Sequence, residues 1–429
     1  MSIRTNKEAA VKVAANLADS GFAADRREQT LGTALTDYWT RVRSGDLGSL
    51  PAILGLVALV TLFTVLRPET FLSKGNIANL FVQALPVTIL ALGLVFVLLL
   101  GEIDLSAGVA SGVCAAVMAK LIVEAGQPWF VAVAAALVTG LVIGTAIGAL
   151  VSLVRIPSFV VTLALFLGLQ GITLRLIGDG GTVPVRDDVV VALANRNMPI
   201  WLGWVLALVC VAGFAAVELL RHQRQRKRGL AGRPFGVTAA RITVLAVAVL
   251  GGTYLLSLNR AATPSFDLRG VPWGVPLVAL LVVVCTFVLG RTVYGRHVYA
   301  VGGNAEAARR AGINVTWIRM SVFMIGSFLA ALSGIVLASR LNSVTPDLGA
   351  NTTLLYAVGA AVIGGTSLFG GKGRAHDALL GGLVIATIDN GLGLLGAKAY
   401  ANMLITGLVL LFAASIDALA RRRRAATGR

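Results

Sequence analysis

Charge is scarce in this chain. Only 13% of its 429 residues are Asp, Glu, Lys or Arg, while 57% are hydrophobic, and the mean hydropathy is +0.84. A soluble domain of this length could not hide so much apolar surface, so an ordinary globular class is excluded. Cysteine is almost absent: Cys114, Cys210 and Cys285 lie in separate apolar runs with no CxxC pair and no metal-ligand spacing. They read as small packing residues. His222, His297 and His376 are equally isolated and fall near expected membrane boundaries, which suits solvated side chains better than ligands. No metal and no cofactor are expected. A nucleotide-binding motif is lacking too. In GGTSLFGGKG, Thr366 stands where a phosphate-binding loop needs its first glycine, and Gly373 follows Lys372 in place of Ser or Thr. YAVGGN lacks GxGxxG spacing. The chain is not expected to hydrolyse ATP. The formal net charge of +17 comes with no recognition fold and no aromatic-basic groove, so nucleic acid is not an expected partner.

What the chain has is a series of apolar runs near or above the ~18 residues that mark a bilayer-spanning helix. They occupy 51–66, 77–100, 104–124, 129–153, 159–177, 199–220, 242–257, 273–289, 317–338, 354–370, 376–394 and 402–420. Backbone in lipid must be satisfied internally, and these runs do not alternate as barrel strands do. The fold class is therefore all-α, a polytopic transmembrane helical bundle of about 10–12 spans, some short enough to be re-entrant. Three regions follow. Residues 1–49 form a polar tail with no apolar core of a signal peptide. Residues 50–420 form the membrane domain, and 421–429 a basic tail. In the first tail Leu31, Leu35, Tyr38, Trp39 and Val42 share one helical face, a pattern that suits a helix lying on the bilayer.

Basic residues orient the bundle. With the amino terminus in the cytoplasm, the run Arg221 to Arg233, the loop Arg291 to Arg319 and the terminal Arg421 to Arg424 all fall inside. The other side receives scattered charges such as Arg67, Lys74, Arg186, Arg196, Arg260, Arg269, Arg340 and Lys398. By the positive-inside rule both termini are cytoplasmic, in the plasma membrane.

The loop YGRHVYAVGGNAEAARRAGINV, Tyr294 to Val315, carries the most local information. Gly302 and Gly303 permit a sharp turn, and Asn304 suits an N-cap. Ala305 to Ala311 reads as a two-turn helix closed by Gly312. Glu306 in the first turn and Arg309 and Arg310 in the last match the helix dipole. So short a helix is marginal alone, and from chemistry it is either a docking element or a well-capped connector.

This segment, with its Glu306-Ala307-Ala308 and downstream Gly312, resembles the cytoplasmic coupling loop of permeases from ATP-binding-cassette importers. EIDLSAG (Glu102 to Gly108), IPSFVVTLALFLGLQG (Ile156 to Gly171), VIGGTSLFGGKG (Val362 to Gly373) and IDNGLGLLG (Ile388 to Gly396) follow the order of the ribose/xylose/galactose branch. The basic section at Arg221 to Arg241, the RGVP of Arg269 to Pro272 and the EIDLS form are closer to its xylose-type members. The resemblance covers roughly 50–420. It implies a monosaccharide substrate, a separate cytoplasmic ATP-binding subunit, an extracytoplasmic sugar-binding protein and a second permease copy, all in membrane lipid. It also implies that Gly302, Gly303, Asn304, Glu306, Ala307, Ala308, Arg309 and Gly312 form the coupling element. The alternative is a proton- or sodium-coupled secondary transporter. That reading would leave the Glu-Ala-Ala loop unexplained, and the halves show no convincing repeat.

Charged groups at membrane depth are costly and face a cavity or a partner. Glu102 and Asp104, at the junction of two apolar runs, either line a translocation path or cap the helix beginning near Leu105. Gln83, Asn79, Gln170, Asn351 and Asn390 suit hydrogen bonding to sugar hydroxyls, and equally suit helix–helix contacts.

Overall fold

The computed structural model describes residues 48–227, 235–261, 267–350 and 352–426. The surface helix expected around Leu31 to Val42 and the candidate Asn351 lie outside them. Fifteen helices occur among the described residues. Eight of these are long and apolar enough to cross a bilayer, with four shorter apolar helices beside them. The chain is thus a polytopic helical bundle.

The described residues fall into two compact units, Pro199–Leu258 and the rest. In the larger unit the helices are α1 (Leu50–Leu66), α2 (Lys74–Leu99), α3 (Ala107–Val123), α4 (Trp129–Ser152), α5 (Ser158–Ile177) and α6 (Asp188–Asn195). The smaller unit is the pair α7 (Ile200–Lys227) and α8 (Phe235–Ser257). The larger unit resumes with α9 (Gly274–Arg291), α10 (Val293–Gly303), α11 (Ala305–Arg310) and α12 (Val315–Leu341). It closes with α13 (Thr352–Gly364), α14 (Ala375–Leu394) and α15 (Ala399–Ala426). A two-residue antiparallel ladder pairs β1 (Val183–Pro184) with β2 (Ser343–Val344).

Three expected boundaries move. The apolar run 354–370 is not one helix: α13 stops at Gly364, where Gly365 takes φ +122, and Leu368 and Phe369 belong to a loop. Hydropathy had counted those two side chains as part of a span. In the smaller unit the basic section is largely helical, since α7 runs on to Lys227 and α8 starts at Phe235. Helix hydrogen bonding continues through polar sequence once nucleated. There Glu218 is buried, within 3.4 Å of Arg221 and 3.5 Å of Arg241, which ties the hairpin together. Third, Gly302 and Gly303 do not form a turn. They continue α10, and the chain breaks one residue later at Asn304, with φ −160 and ψ 102.

Helix α2 is the centre of the larger unit. It packs on α12, α13 and α14, with every residue from Ala84 to Leu99 buried. Pro86 sits within it, and its carbonyl accepts a hydrogen bond from Ser333 Oγ at 2.7 Å. Helices α4 and α12 meet through Gly140, Gly144 and Gly148, where a β-carbon at Gly144 would lie 2.6 Å from the Phe323 carbonyl oxygen. Lipid offers no hydrophobic drive between helices, so close backbone approach through small residues supplies the packing energy.

Candidate functional site

At one end of the larger unit α11 stands as a separate capped turn. Asn304 Oδ1 accepts from the Ala307 N–H at 2.9 Å. At its other end Gly312 takes φ +84. The Gly312 N–H bonds Arg309 O and the Ile313 N–H bonds Ala308 O, each at 3.0 Å. These two bonds make a Schellman closure, which a β-carbon at Gly312 would oppose. Ala308 is buried under the helix, while Glu306, Arg309 and Arg310 are exposed. Glu306 pairs with Arg309 at 3.4 Å and with Arg310 at 3.2 Å. Surface pairs of this kind add little stability, so α11 is held by its caps and presents mixed charge outward.

The entry to α11 is fixed to the core by backbone. A β-carbon at Gly302 would collide with the Leu99 carbonyl oxygen at the end of α2. That same carbonyl accepts from the Gly371 N–H at 2.8 Å. The Tyr299 hydroxyl donates to Gly373 O at 2.7 Å. Burial first, and the Asp377 carboxylate second, push the Tyr299 hydroxyl pKa up, so it remains a donor. Three segments distant in sequence, 99–101, 302–303 and 370–373, thus form one joint. The sequence displayed the glycines of this joint; the approach of Leu99 appears only in the fold.

The two candidate carboxylates lie at this same end. Asp104 Oδ1 accepts from the Ser106 N–H at 2.9 Å and the Ser106 hydroxyl at 2.6 Å, so it organises the start of α3. Glu102 Oε1 is 3.2 Å from Arg319 Nε. Beside them the Ile103 N–H bonds Ser158 Oγ at 3.3 Å, joining this loop to α5.

The remaining candidates are not brought together with these. Asn390 makes a reciprocal amide pair with Asn76, at 2.8 and 2.9 Å, clasping α14 to the start of α2 at the opposite end. Asn79 is exposed. Gln83 is half-buried on α2, with Oε1 lacking a hydrogen-bond partner among the described residues. Gln170 is half-buried on α5, which packs mainly on α3 and α4. Sequence reasoning missed Asn76. It also missed a polar group near Asn390: Asn402 Nδ2 donates to Asp389 Oδ1 at 2.8 Å, and the Tyr356 and Thr406 hydroxyls lie beside them. Its members come from three helices, α13, α14 and α15, and no single run of sequence contains them.

Comparison with known proteins fits this architecture. Residues 76–414 match the family described as branched-chain amino acid transport system / permease component. The xylose transport system permease protein of Escherichia coli K12 is 33% identical over 92% of this chain and 98% of its own length. The corresponding xylose protein of Haemophilus influenzae is 33% identical over 88% of this chain and 98% of its own. The ribose import permease protein of E. coli K12 is 31% identical over 89% of this chain and 96% of its own. No solved structure matches. The helical bundle and these full-length similarities together show that the chain belongs to this family of transporter permeases, in the branch that includes the xylose and ribose permeases.

Proposed function

We propose that the chain is the membrane-spanning subunit of an ATP-driven monosaccharide importer, with D-xylose as its preferred sugar. The observation that carries this reading is similarity to a xylose permease along nearly the whole of both chains. The charge asymmetry of the sequence supports cytoplasmic termini in the cell membrane. In that orientation α11 faces a separate ATPase, and the end bearing Asn76 and Asn390 faces an extracytoplasmic sugar-binding protein. A second copy of the chain completes the pathway, and Gln83 and Gln170 are its candidate polar contacts within the spans. Helix α11 suits coupling because caps at both ends make it a rigid plug, and Gly302 joins it to the buried α2.

Uptake of radiolabelled D-xylose, D-ribose, D-galactose and L-leucine, with and without this gene, tests the assignment. Xylose uptake should fall most. Unchanged xylose uptake in cells without another xylose carrier would overturn the substrate, and uptake that survives ATP depletion would favour a secondary transporter. Ala308→Pro tests coupling, because an interior proline costs a helix ~3 kcal/mol or more. The variant should reach the membrane in near-normal amount yet lose about tenfold or more in uptake. Parental uptake by that variant would remove α11 from the coupling role.

A further inference from the structure

A cavity of about 260 Å³ opens beside α11, lined by Arg155, Arg309 and Arg319, with Glu102 as its one carboxylate among the described residues. Two observations separate it from an incidental crevice. Arg155 holds φ +65 just beyond the end of α4. That left-handed position is strained for a residue with a β-carbon and is usually filled by glycine. The Ile156 N–H bonds back to Leu150 O at 3.2 Å across this turn, and the Arg155 side chain is exposed. Arg319 supplies the second observation. Its buried Nε lies 3.2 Å from Glu102 Oε1, yet its N–H makes no hydrogen bond among the described residues. The cavity is thus lined by three guanidinium groups against one carboxylate among the described residues, with a left-handed arginine at its rim.

We propose that this cavity receives an acidic side chain of the partner ATPase, as a second contact alongside α11; the inference rests on the permease reading above. Guanidinium forks match a carboxylate in geometry as well as charge. Arg309 belongs both to α11 and to the cavity wall, so a protein seated on α11 covers the cavity mouth. Glu102 is the internal counter-ion that the incoming carboxylate joins at Arg319.

Arg155→Gly tests this in the complex co-purified through a tag on the permease and held in nanodiscs. Glycine suits φ +65, so the unfolding temperature of the permease should stay level or rise. ATPase retained per permease, and ATP hydrolysis stimulated by xylose-loaded binding protein, should fall about fivefold. Arg155→Lys should regain part of that loss, since lysine restores the charge without the fork. Arg319→Gln provides a second variant with the same expected loss. Wild-type retention and hydrolysis in both Arg155→Gly and Arg319→Gln would overturn the proposal. So would losses that track a lowered unfolding temperature, which mark a structural role. A loss seen in discs containing phosphatidylglycerol but not in pure phosphatidylcholine would assign the cavity to a lipid phosphate and also overturn it. If no ATPase co-purifies with the wild-type chain, the permease reading itself fails, a result distinct from any difference between variants.

Discussion

At the end of the larger unit that carries α11, the chain is joined backbone to backbone: Gly302 against Leu99 O, and the Gly371 N–H on that same carbonyl. At the opposite end the short β1–β2 ladder is supplemented by joints between side chains. Asn76 pairs with Asn390, Asn195 Nδ2 donates to Asn342 Oδ1 at 3.0 Å, and Asp389 accepts from Asn402. The difference has mechanical content. Backbone contacts through glycine have no rotamers to exchange, so they pass a displacement on without absorbing it. Amide and carboxylate pairs can swap partners at small net cost, because a sugar hydroxyl or another side chain can satisfy the same groups. The glycine joint thus leaves fewer alternative arrangements than the amide pairs do.

The largest effect expected from this contrast is at Gly302. Valine there drives a side chain into a backbone carbonyl that has no rotamer to yield, and overpacking of this kind costs ~3 kcal/mol. Gly302→Val should lower the unfolding temperature in detergent and reduce abundance. If the variant is as stable as the parent, the backbone joint is not tight and the contrast collapses.

Asn390→Ala should cost less, ~1 kcal/mol, since it strands the partner amide but leaves Asn76 its bond to Phe71 O at 2.9 Å. A double-mutant cycle with Asn76→Ala should return a coupling energy of similar size, measured by thermal unfolding. Additive losses would show that the two amides do not depend on each other. The smallest structural effect belongs to Glu306→Arg. It removes two exposed pairs and opposes the dipole of α11, a change of ~0.5 kcal/mol in the helix. Stability should stay within error of the parent while sugar uptake falls severalfold, because the charge offered to the partner is reversed. Full uptake by this variant would mean that Glu306 takes no part in the contact.

Much of this architecture is legible in the sequence because lipid imposes a simple rule: an apolar run of sufficient length is a helix. The spans from α2 to α5 fall within three residues of their expected limits for that reason. The rule fails where hydropathy and helicity part company. Leu368 and Phe369 are apolar loop residues that lengthened the apparent α13, and the charged end of α7 is helical despite its polarity. Site residues were legible when their chemistry was local. Asn304 as a cap and Gly312 as a left-handed closure depend on neighbours within five positions. Gly302 shows the opposite case, since glycine serves a sharp turn and a close approach equally well, and the deciding contact is with Leu99. Asn390 was visible as a polar group in a span, but its partner lies 314 residues earlier.

The enclosure of α2 bears on how the protein is made. Its inner half touches protein on every side, yet α12, α13 and α14, which enclose it, are synthesised more than 200 residues later. An apolar helix without charged residues past its first turn is at ease in lipid on its own, so α2 can be inserted and wait. When its neighbours arrive they displace acyl chains rather than water, and assembly is driven by fit instead of by exclusion from solvent. Gly93 lies against Gly326, where a β-carbon would lie 2.9 Å from the Gly326 carbonyl oxygen, so this late fit has no room for a side chain. A larger residue there should spare insertion, which depends on apolarity, and weaken closure of the bundle, which depends on fit.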